Sequence, residues 1–291
     1  MARGLELLLS AILLAGIYAT MAYGLGLIYG VLRIVNLNHG GMIMTGAYLG
    51  WWLHENAKLD PYLGLPIVAI LCFALGVLIY RGLVRHLPRG PAGGVQSLLL
   101  LFGVWLVFRN AAYLLFTGND QVIFTDYSTR AVVVFGSALS VNRLIVFAIA
   151  GLLLLGLHLL LTRTYVGKAI RAVAQNADSC TLAGVEVEKI YALTFGIGTA
   201  LAGIAGALLG TLFSFNPTFG AVELLKSFVI VVLGGLGSVL GTAVAALILA
   251  LVEVFAILIL PAYLTGAVGF VLLVLVLIFR PGGLFGHRVL G

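Results

Sequence analysis

Long apolar runs separated by short polar connections dominate the chain. A helix needs about 20 apolar residues to cross the hydrocarbon core of a bilayer, where its backbone groups must hydrogen-bond within the same segment. Runs of this kind occupy residues 5–30, 34–53, 62–84, 95–117, 141–162, 190–213, 222–256 and 258–279. The pattern predicts an all-α integral membrane protein, a polytopic bundle of about eight to nine transmembrane helices, some of them broken or re-entrant.

Two of these runs do not fit one simple helical crossing. Residues 222–256 contain a cluster of glycines at Gly234, Gly235 and Gly237, which predicts two short spans or one broken helix. Residues 34–53 have polar side chains near their start, at Asn36, Asn38 and His39. That segment either crosses the membrane or re-enters it.

The distribution of basic residues predicts the orientation of the bundle. Cytoplasmic loops of membrane proteins carry an excess of lysine and arginine. Such residues without nearby acid occur in the connection 81–94, at the start of the connection 163–189 and in the carboxy-terminal tail, which we therefore expect to be cytoplasmic. We expect the acid-containing connections 54–60 and 118–130 to lie outside. The amino terminus then lies outside if 34–53 crosses, and inside if that segment re-enters.

Composition and charge favour lipid as the solvent of this chain. Of its 291 residues, 62% are hydrophobic and only 9% are charged, which is more apolar surface than one soluble core can bury. The formal net charge of +6 is spread over short connections, so it does not indicate nucleic-acid binding. Cys72 and Cys180 have neither disulfide nor metal-ligand spacing, and we expect no metal site. No long linker interrupts the chain, which predicts a single membrane domain over residues 1–291.

Glycine is abundant, with 38 copies in the chain. Small residues let the backbones of membrane helices approach closely. Pairs four residues apart, Gly26 with Gly30 and Gly206 with Gly210, predict such close helix contacts.

A polar cluster interrupts the second apolar run. It consists of Asn36, Asn38 and His39, followed by Gly40 and Gly41. Polar groups inside a membrane are costly unless they line a pathway or find partners. We therefore expect either a helix break that exposes these groups to a translocation pathway, or hydrogen bonds that hold neighbouring helices together.

A second cluster lies in the seventh run and comprises Gly234, Gly235, Gly237 and Ser238. These small residues can let the chain turn or let a substrate approach the backbone. They can equally let two helices pack tightly. Both interpretations stay open at this point.

Three charged residues stand in the same run. Glu223 and Lys226 are three residues apart on one helical face and can form an ion pair. Glu253 has no partner that the sequence identifies. An ionisable group in a membrane helix is a candidate for a pathway, whereas one near the membrane rim is simply hydrated.

The connection 163–189 is longer than a connector needs to be. Apolar residues at helical spacing predict two short amphipathic helices, with Asp178 as a candidate cap of the second. Such an element suits docking to another protein. The alternative is an interfacial helix that lies on anionic lipid through Lys168 and Arg171.

Motifs of common enzyme classes are missing from the sequence. The chain has no G-x-x-x-x-G-K-[ST] phosphate-binding loop, so we do not expect it to hydrolyse ATP. It also has no H-E-x-x-H zinc helix and no G-x-S-x-G nucleophile elbow. We expect a membrane protein that is not itself an enzyme and binds no cofactor.

Four segments spread along the chain carry a family resemblance. They are GLGLIYGVLRIVNLNHGGMIMTGAYLG at 24–50, GKAIRAVAQNADSCTLAGV at 167–185, GGLGSVLGTA at 234–243 and RPGGLFG at 280–286. In this order and at these separations, they resemble the branched-chain amino acid ABC permeases of the LivH type. The resemblance spans nearly the whole chain.

The resemblance implies one half of the translocation pathway of an ATP-driven importer in the bacterial cytoplasmic (inner) membrane. It implies four kinds of partner: a second homologous permease subunit, two ABC ATPase subunits that use ATP and Mg, an extracytoplasmic amino-acid-binding protein, and membrane lipid. The connection 163–189 then contains the element that couples to the ATPase. The residues expected to act in coupling are Gly167, Lys168, Arg171, Asn176, Asp178 and Gly184.

A pathway lined by residues 36–41 and 234–238 suits a zwitterionic amino acid, because helix-break amides and helix amino termini can satisfy its carboxylate. Gly41 departs from the family pattern, in which many members carry an acidic residue after His-Gly. Two alternatives stay open. One is a permease of the same family for urea or short-chain amides, and the other is a stand-alone, ion-coupled secondary transporter that uses the charged residues of the seventh run and His39.

Overall fold

The chain folds into a bundle of helices. The computed structural model describes residues 2–88, 91–125, 127–134, 137–235, 238–279 and 282–284. The helices in these ranges are α1 (Ala2–Leu32), α2 (Asn38–Glu55), α3 (Pro61–Gly82), α4 (Pro91–Phe116), α5 (Val141–Arg163), α6 (Tyr165–Gln175), α7 (Ala177–Leu182), α8 (Val187–Gly210), α9 (Phe219–Gly234), α10 (Val239–Ala256) and α11 (Ala262–Phe279). The predicted all-α membrane bundle is confirmed, and α1, α3, α4, α5 and α8 are each long and apolar enough to cross a bilayer.

A short β-hairpin between α4 and α5 was not predicted. Ala131–Val134 (β1) pairs antiparallel with Ser137–Ser140 (β2). Val132 and Val133 are β-branched and exposed, which favours a strand at the surface. Strands of four residues are too short to give a periodic signal beside the long apolar runs.

Helix α8 lies at the centre of the bundle and packs against α1, α2 and α3. Only glycine fits at several of these contacts. A Cβ atom on Gly206 would lie 1.8 Å from the carbonyl oxygen of Ile43, and one on Gly46 would lie 2.0 Å from that of Gly203. The predicted close packing at Gly206 is confirmed, whereas a Cβ on Gly26 would meet its nearest neighbour at an ordinary 3.6 Å.

The arginine-bearing connections gather at one end of the bundle, which we call the basic end. Arg33, Arg85 and Glu188 line a common groove there, between the end of α1, the turn after α3 and the start of α8. It is the end that the positive-inside rule predicts to be cytoplasmic.

The opposite end is closed by the loop after α4. The backbone N–H of Gln121 donates to the carbonyl oxygen of Phe215 at 2.8 Å, which ties this loop to the segment after α8. The hydroxyl of Tyr127 donates to a carboxylate oxygen of Asp60 at 2.5 Å. Burial and this carboxylate together raise the pKa of Tyr127. The connections 54–60 and 118–130 therefore share one end, as predicted.

Helix α1 runs from the opposite end to the basic end. The guanidinium of Arg143, at the start of α5, donates to the hydroxyl of Ser10 at 3.3 Å. Arg33, just after α1, lies in the groove at the basic end. The amino-terminal part of α1 is therefore at the end predicted to lie outside.

Helix α2 begins half-way through the bundle. Arg33, with φ at 57°, ends α1, and residues 34–37 continue without helix. His39 then lies beside the middle of α1, with its Nε2 2.9 Å from the carbonyl oxygen of Met21. The segment 34–53 therefore crosses the bundle, with residues 34–37 outside regular helix and α2 beginning at Asn38.

The seventh apolar run forms two helices, which was one of the two predicted alternatives. Helix α9 ends at Gly234, and α10 begins after Ser238, whose hydroxyl accepts a hydrogen bond from the N–H of Gly241 at 3.0 Å. Gly235 has φ at 92°, a conformation that favours glycine. Gly237 lies outside the described residues.

We expect Gly206→Ala to lower the free energy of unfolding by about 1–3 kcal/mol, because the added methyl group forces α2 and α8 apart. Gly26→Ala is the matched control and should change it by less than about 0.5 kcal/mol, since the position has room. Unfolding of the purified chain in detergent measures both. Equal effects of the two substitutions would contradict the packing described for α8.

Candidate functional site

The polar side chains before and at the start of α2 are completely buried. Asn36, Asn38 and His39 each have 0% exposure. The imidazole of His39 bonds the Met21 carbonyl through Nε2, as a donor. Within the described part of the chain, the side-chain oxygen and nitrogen of both asparagines have no hydrogen-bond partner. Buried amides without partners destabilise a fold, so these two differ from amides that merely hold helices together.

The glycines that follow make room for close contacts. A Cβ on Gly40 would lie 2.3 Å from the carbonyl oxygen of Gly220, so glycine is needed where α2 meets α9. A Cβ on Gly41 would lie 2.5 Å from the amide oxygen of Asn38 and 3.2 Å from Trp105 in α4. The indole N–H of Trp105 also lacks a partner among the described residues. Sequence reasoning missed Trp105, which is one aromatic residue in a long apolar run.

The second predicted pathway cluster lies nearer the basic end. Ser238 lines a cavity of about 610 Å³ together with Gly30 and Arg171. His39 contacts Met21, nine residues before Gly30 in α1, which corresponds to about 14 Å along a helix. The same cavity also contains Tyr23, two residues after Met21, but none of Asn36, Asn38 and His39 is among its lining residues.

The predicted amphipathic helices of the connection 163–189 are α6 and α7. Thr164 caps α6 by accepting from the N–H of Gly167 at 3.0 Å. Asn176 caps α7 by accepting from the N–H of Ser179 at 2.9 Å. The prediction that Asp178 caps the second helix was wrong, because Asp178 lies inside the first turn and Asn176 takes the cap position.

One face of α6 and α7 is packed onto the membrane helices. Ile170, Val173 and Cys180 are buried against Val31 at the end of α1 and Val187 at the start of α8. Tight contact with α5 adds to this packing. A Cβ on Gly167 would lie 2.1 Å from the carbonyl oxygen of Leu160, and the guanidinium of Arg171 donates to the carbonyl oxygen of Leu161.

The other face of α6 and α7 is exposed at the basic end. Lys168, Asn176 and Asp178 are on this surface. Tyr165 is 80% exposed and Leu182 is 90% exposed. Large exposed apolar side chains are typical of surfaces that contact a protein or a membrane. Gly184 follows α7 with φ at 81°, where glycine is favoured.

The charged residues of the seventh run form a cluster with α1. The predicted pair of Lys226 and Glu223 is confirmed, with nitrogen and oxygen 3.2 Å apart. Glu253 has two partners that the sequence did not reveal. The hydroxyl of Tyr18 donates to its carboxylate at 2.5 Å, and the ammonium of Lys226 lies 3.7 Å from it.

Comparison with known proteins identifies the family of this chain. Residues 7–277 match the family described as branched-chain amino acid transport system / permease component. The chain belongs to this family. The permease is thus a multi-pass membrane protein, and the predicted resemblance to LivH-type permeases is confirmed.

Three relatives of the permease carry transport names. It is 29% identical to the high-affinity branched-chain amino acid transport system permease protein BraD of Pseudomonas aeruginosa, over 97% of this chain and 96% of that protein. It is 27% identical to LivH of Escherichia coli K12 over the same shares of the two chains. LivM of the same organism is 27% identical over 80% of this chain and 60% of its own length. No solved structure matches.

We expect Asn176→Ala to loosen α7, because the substitution removes the side chain that caps it. A lost cap costs about 1 kcal/mol, which corresponds to about fivefold faster local hydrogen exchange of the α7 amides. Asp178→Ala is the control and should have a smaller effect, since Asp178 only faces the helix amino terminus. An equal or larger effect at Asp178 would contradict the observed cap.

Proposed function

We propose that this permease forms one half of the translocation pathway for branched-chain amino acids in an ATP-driven importer of the bacterial cytoplasmic (inner) membrane. Two ABC ATPase subunits hydrolyse ATP with Mg, and an extracytoplasmic binding protein delivers the amino acid. The relatives named for branched-chain amino acid transport support this substrate. They do not favour urea or short-chain amides. The observation that carries the proposal is the α6–α7 element, exposed on one face and packed into the bundle on the other.

The α6–α7 element has the construction that coupling requires. Its buried face contacts α1 and α8, so a displacement of the element moves the ends of two membrane helices together. Packed interiors transmit such displacements because they resist compression. Its exposed face, with Lys168 and Leu182, supplies the surface on which an ATPase docks.

The second half of the pathway is a homologous permease. Escherichia coli has two permeases of this transport system, LivH and LivM, and both are similar to this chain. We infer that this chain likewise pairs with a related permease. The contacts between the two halves then enclose the route of the substrate.

The buried amides before α2 are the proposed contacts of the pathway. Their oxygens and nitrogens lie half-way through the bundle, where a substrate must leave water. An amino acid carboxylate can accept from the amide nitrogens, and its ammonium can donate to the amide oxygens. The glycines Gly40 and Gly41 keep this region narrow by bringing α9 and α4 close.

We expect Leu182→Asp to abolish most co-purification of the cognate ATPases and to reduce ATP-dependent leucine uptake, because a charge replaces an apolar contact. The fold should remain intact, since Leu182 is 90% exposed. Phe124→Asp is the matched control: Phe124 is 68% exposed at the opposite end. Normal ATPase association of the Leu182 variant would count against docking on α7.

We expect Asn38→Leu to raise the free energy of unfolding by about 1 kcal/mol, because it removes a buried amide that lacks partners. The same substitution should lower leucine uptake about tenfold through loss of a pathway contact. Asn142→Leu is the control and should lose stability, since Asn142 bonds Tyr62 and Thr211. A destabilised Asn38 variant with normal uptake would show that Asn38 only supports the bundle.

A further inference from the structure

A cavity of about 580 Å³ lies between the first half of α1, α9 and α10. Most of its wall is apolar and includes Leu13, Leu14, Phe213, Val222, Val254 and Ile257. Glu6 and Arg143, both exposed, stand at its rim. Its buried part contains the charged cluster of α9 and α10 described above. The cavity therefore combines an aliphatic wall with a charged interior.

Lys226 lies among three oxygen atoms of this cluster. Its ammonium lies 3.2 Å from Glu223 Oε1, 2.9 Å from the hydroxyl oxygen of Tyr18 and 3.7 Å from Glu253 Oε2. The first two distances are within hydrogen-bond range, whereas the third is an ion pair that is too long for a hydrogen bond. None of these contacts involves the second oxygen of either glutamate.

Two buried carboxylate oxygens beside the cavity remain without a donor among the described residues. Glu223 is 4% exposed and Glu253 is 8% exposed, and both line the cavity. Their oxygens Glu223 Oε2 and Glu253 Oε1 have no hydrogen-bond partner in the described ranges. One ammonium thus faces two carboxyl groups in the buried part. Ionisable side chains buried in a membrane protein are costly and mark candidate functional sites.

The chemistry of the site selects the kind of ligand. Calcium takes six to eight oxygen ligands and magnesium six, and the described residues contain no cluster of three or more metal-ligating side chains. An organic ammonium group carries one positive charge and donates to carboxylate oxygens. Apolar walls suit an aliphatic body attached to that group.

We propose that this cavity binds a primary ammonium group carried on a short aliphatic body, with Glu223 and Glu253 as its acceptors. Each carboxylate then bridges two cations, with one oxygen toward Lys226 and the other toward the ligand. The aliphatic body lies against the leucine and valine side chains of the wall.

The natural source of this group is the α-ammonium of a transported aliphatic amino acid, an identification that rests on the proposed function. The carboxylate of the amino acid then faces Arg143 at the rim. Binding of leucine should accordingly depend on Arg143, whereas binding of an amine without a carboxylate should not.

Calorimetric titration of the purified full-length chain in lipid nanodiscs tests the proposal. The probe is 3-methylbutylamine, and 3-methylbutan-1-ol, which has the same apolar body without the charge, is the comparison. We expect the amine to bind at least about tenfold more tightly than the alcohol. Glu223→Gln and Glu253→Gln should each weaken amine binding about tenfold or more, because each removes a charged acceptor.

Glu6→Gln is the matched control, since it neutralises a carboxylate at the rim and leaves the interior intact. Amine affinity that drops in the two interior variants and stays unchanged in Glu6→Gln supports the site. Equal binding of amine and alcohol, or equal affinity in all variants, overturns it. Leucine binding that is insensitive to Arg143→Gln overturns the identification of the ligand as an amino acid.

Lys226→Gln keeps the test informative if the glutamate variants do not fold. Without the lysine, the two carboxylates repel each other, and the amine should raise the melting temperature of this variant more than that of the unmodified chain. An equal or smaller rise contradicts the proposal. Amine binding is measured without the ATPase. A chain that binds the amine but shows no ATP-driven uptake would therefore count against the proposed function and not against the binding site.

Discussion

Close backbone contact around α8 is the constraint on which the rest of the structure depends. In lipid there is no hydrophobic force between helices, so association depends on packing and on hydrogen bonds. Glycines at Gly46, Gly203 and Gly206 bring α2 and α8 into contact through their backbones. This contact fixes the position along the bundle axis at which α2 begins. It therefore also fixes how deep within the bundle the amides of Asn36 and Asn38 lie.

The same central helix connects the basic end to the interior. Val187, at the start of α8, packs against the buried face of α6 and α7, and Gly206, near its other end, packs against α2. A rigid helix that contacts both regions links the proposed docking surface to the polar segment without a flexible connection. Movement of the α6–α7 element can therefore reach the interior through a shift of α8 against its neighbours.

Hydropathy, charge and glycine spacing predicted much of this arrangement. The apolar runs located the membrane helices, and the arginines identified the connections that share the basic end.

Features that depend on contacts between distant segments were not predictable. Tyr18 and Glu253 are 235 positions apart, and Trp105 lies beside Gly41 only because α4 packs on α2. The cap of α7 was assigned to Asp178 instead of Asn176 because both residue types favour that position and lie two residues apart.

The most direct test of the central claim is leucine uptake into vesicles that contain the purified chain, with and without its paired permease, two ATPases and binding protein. The ATP-driven importer predicts uptake that requires ATP and every component, and that persists when ionophores abolish ion gradients. Uptake by this chain alone, driven by an ion gradient and indifferent to ATP, would contradict it and would establish a secondary transporter.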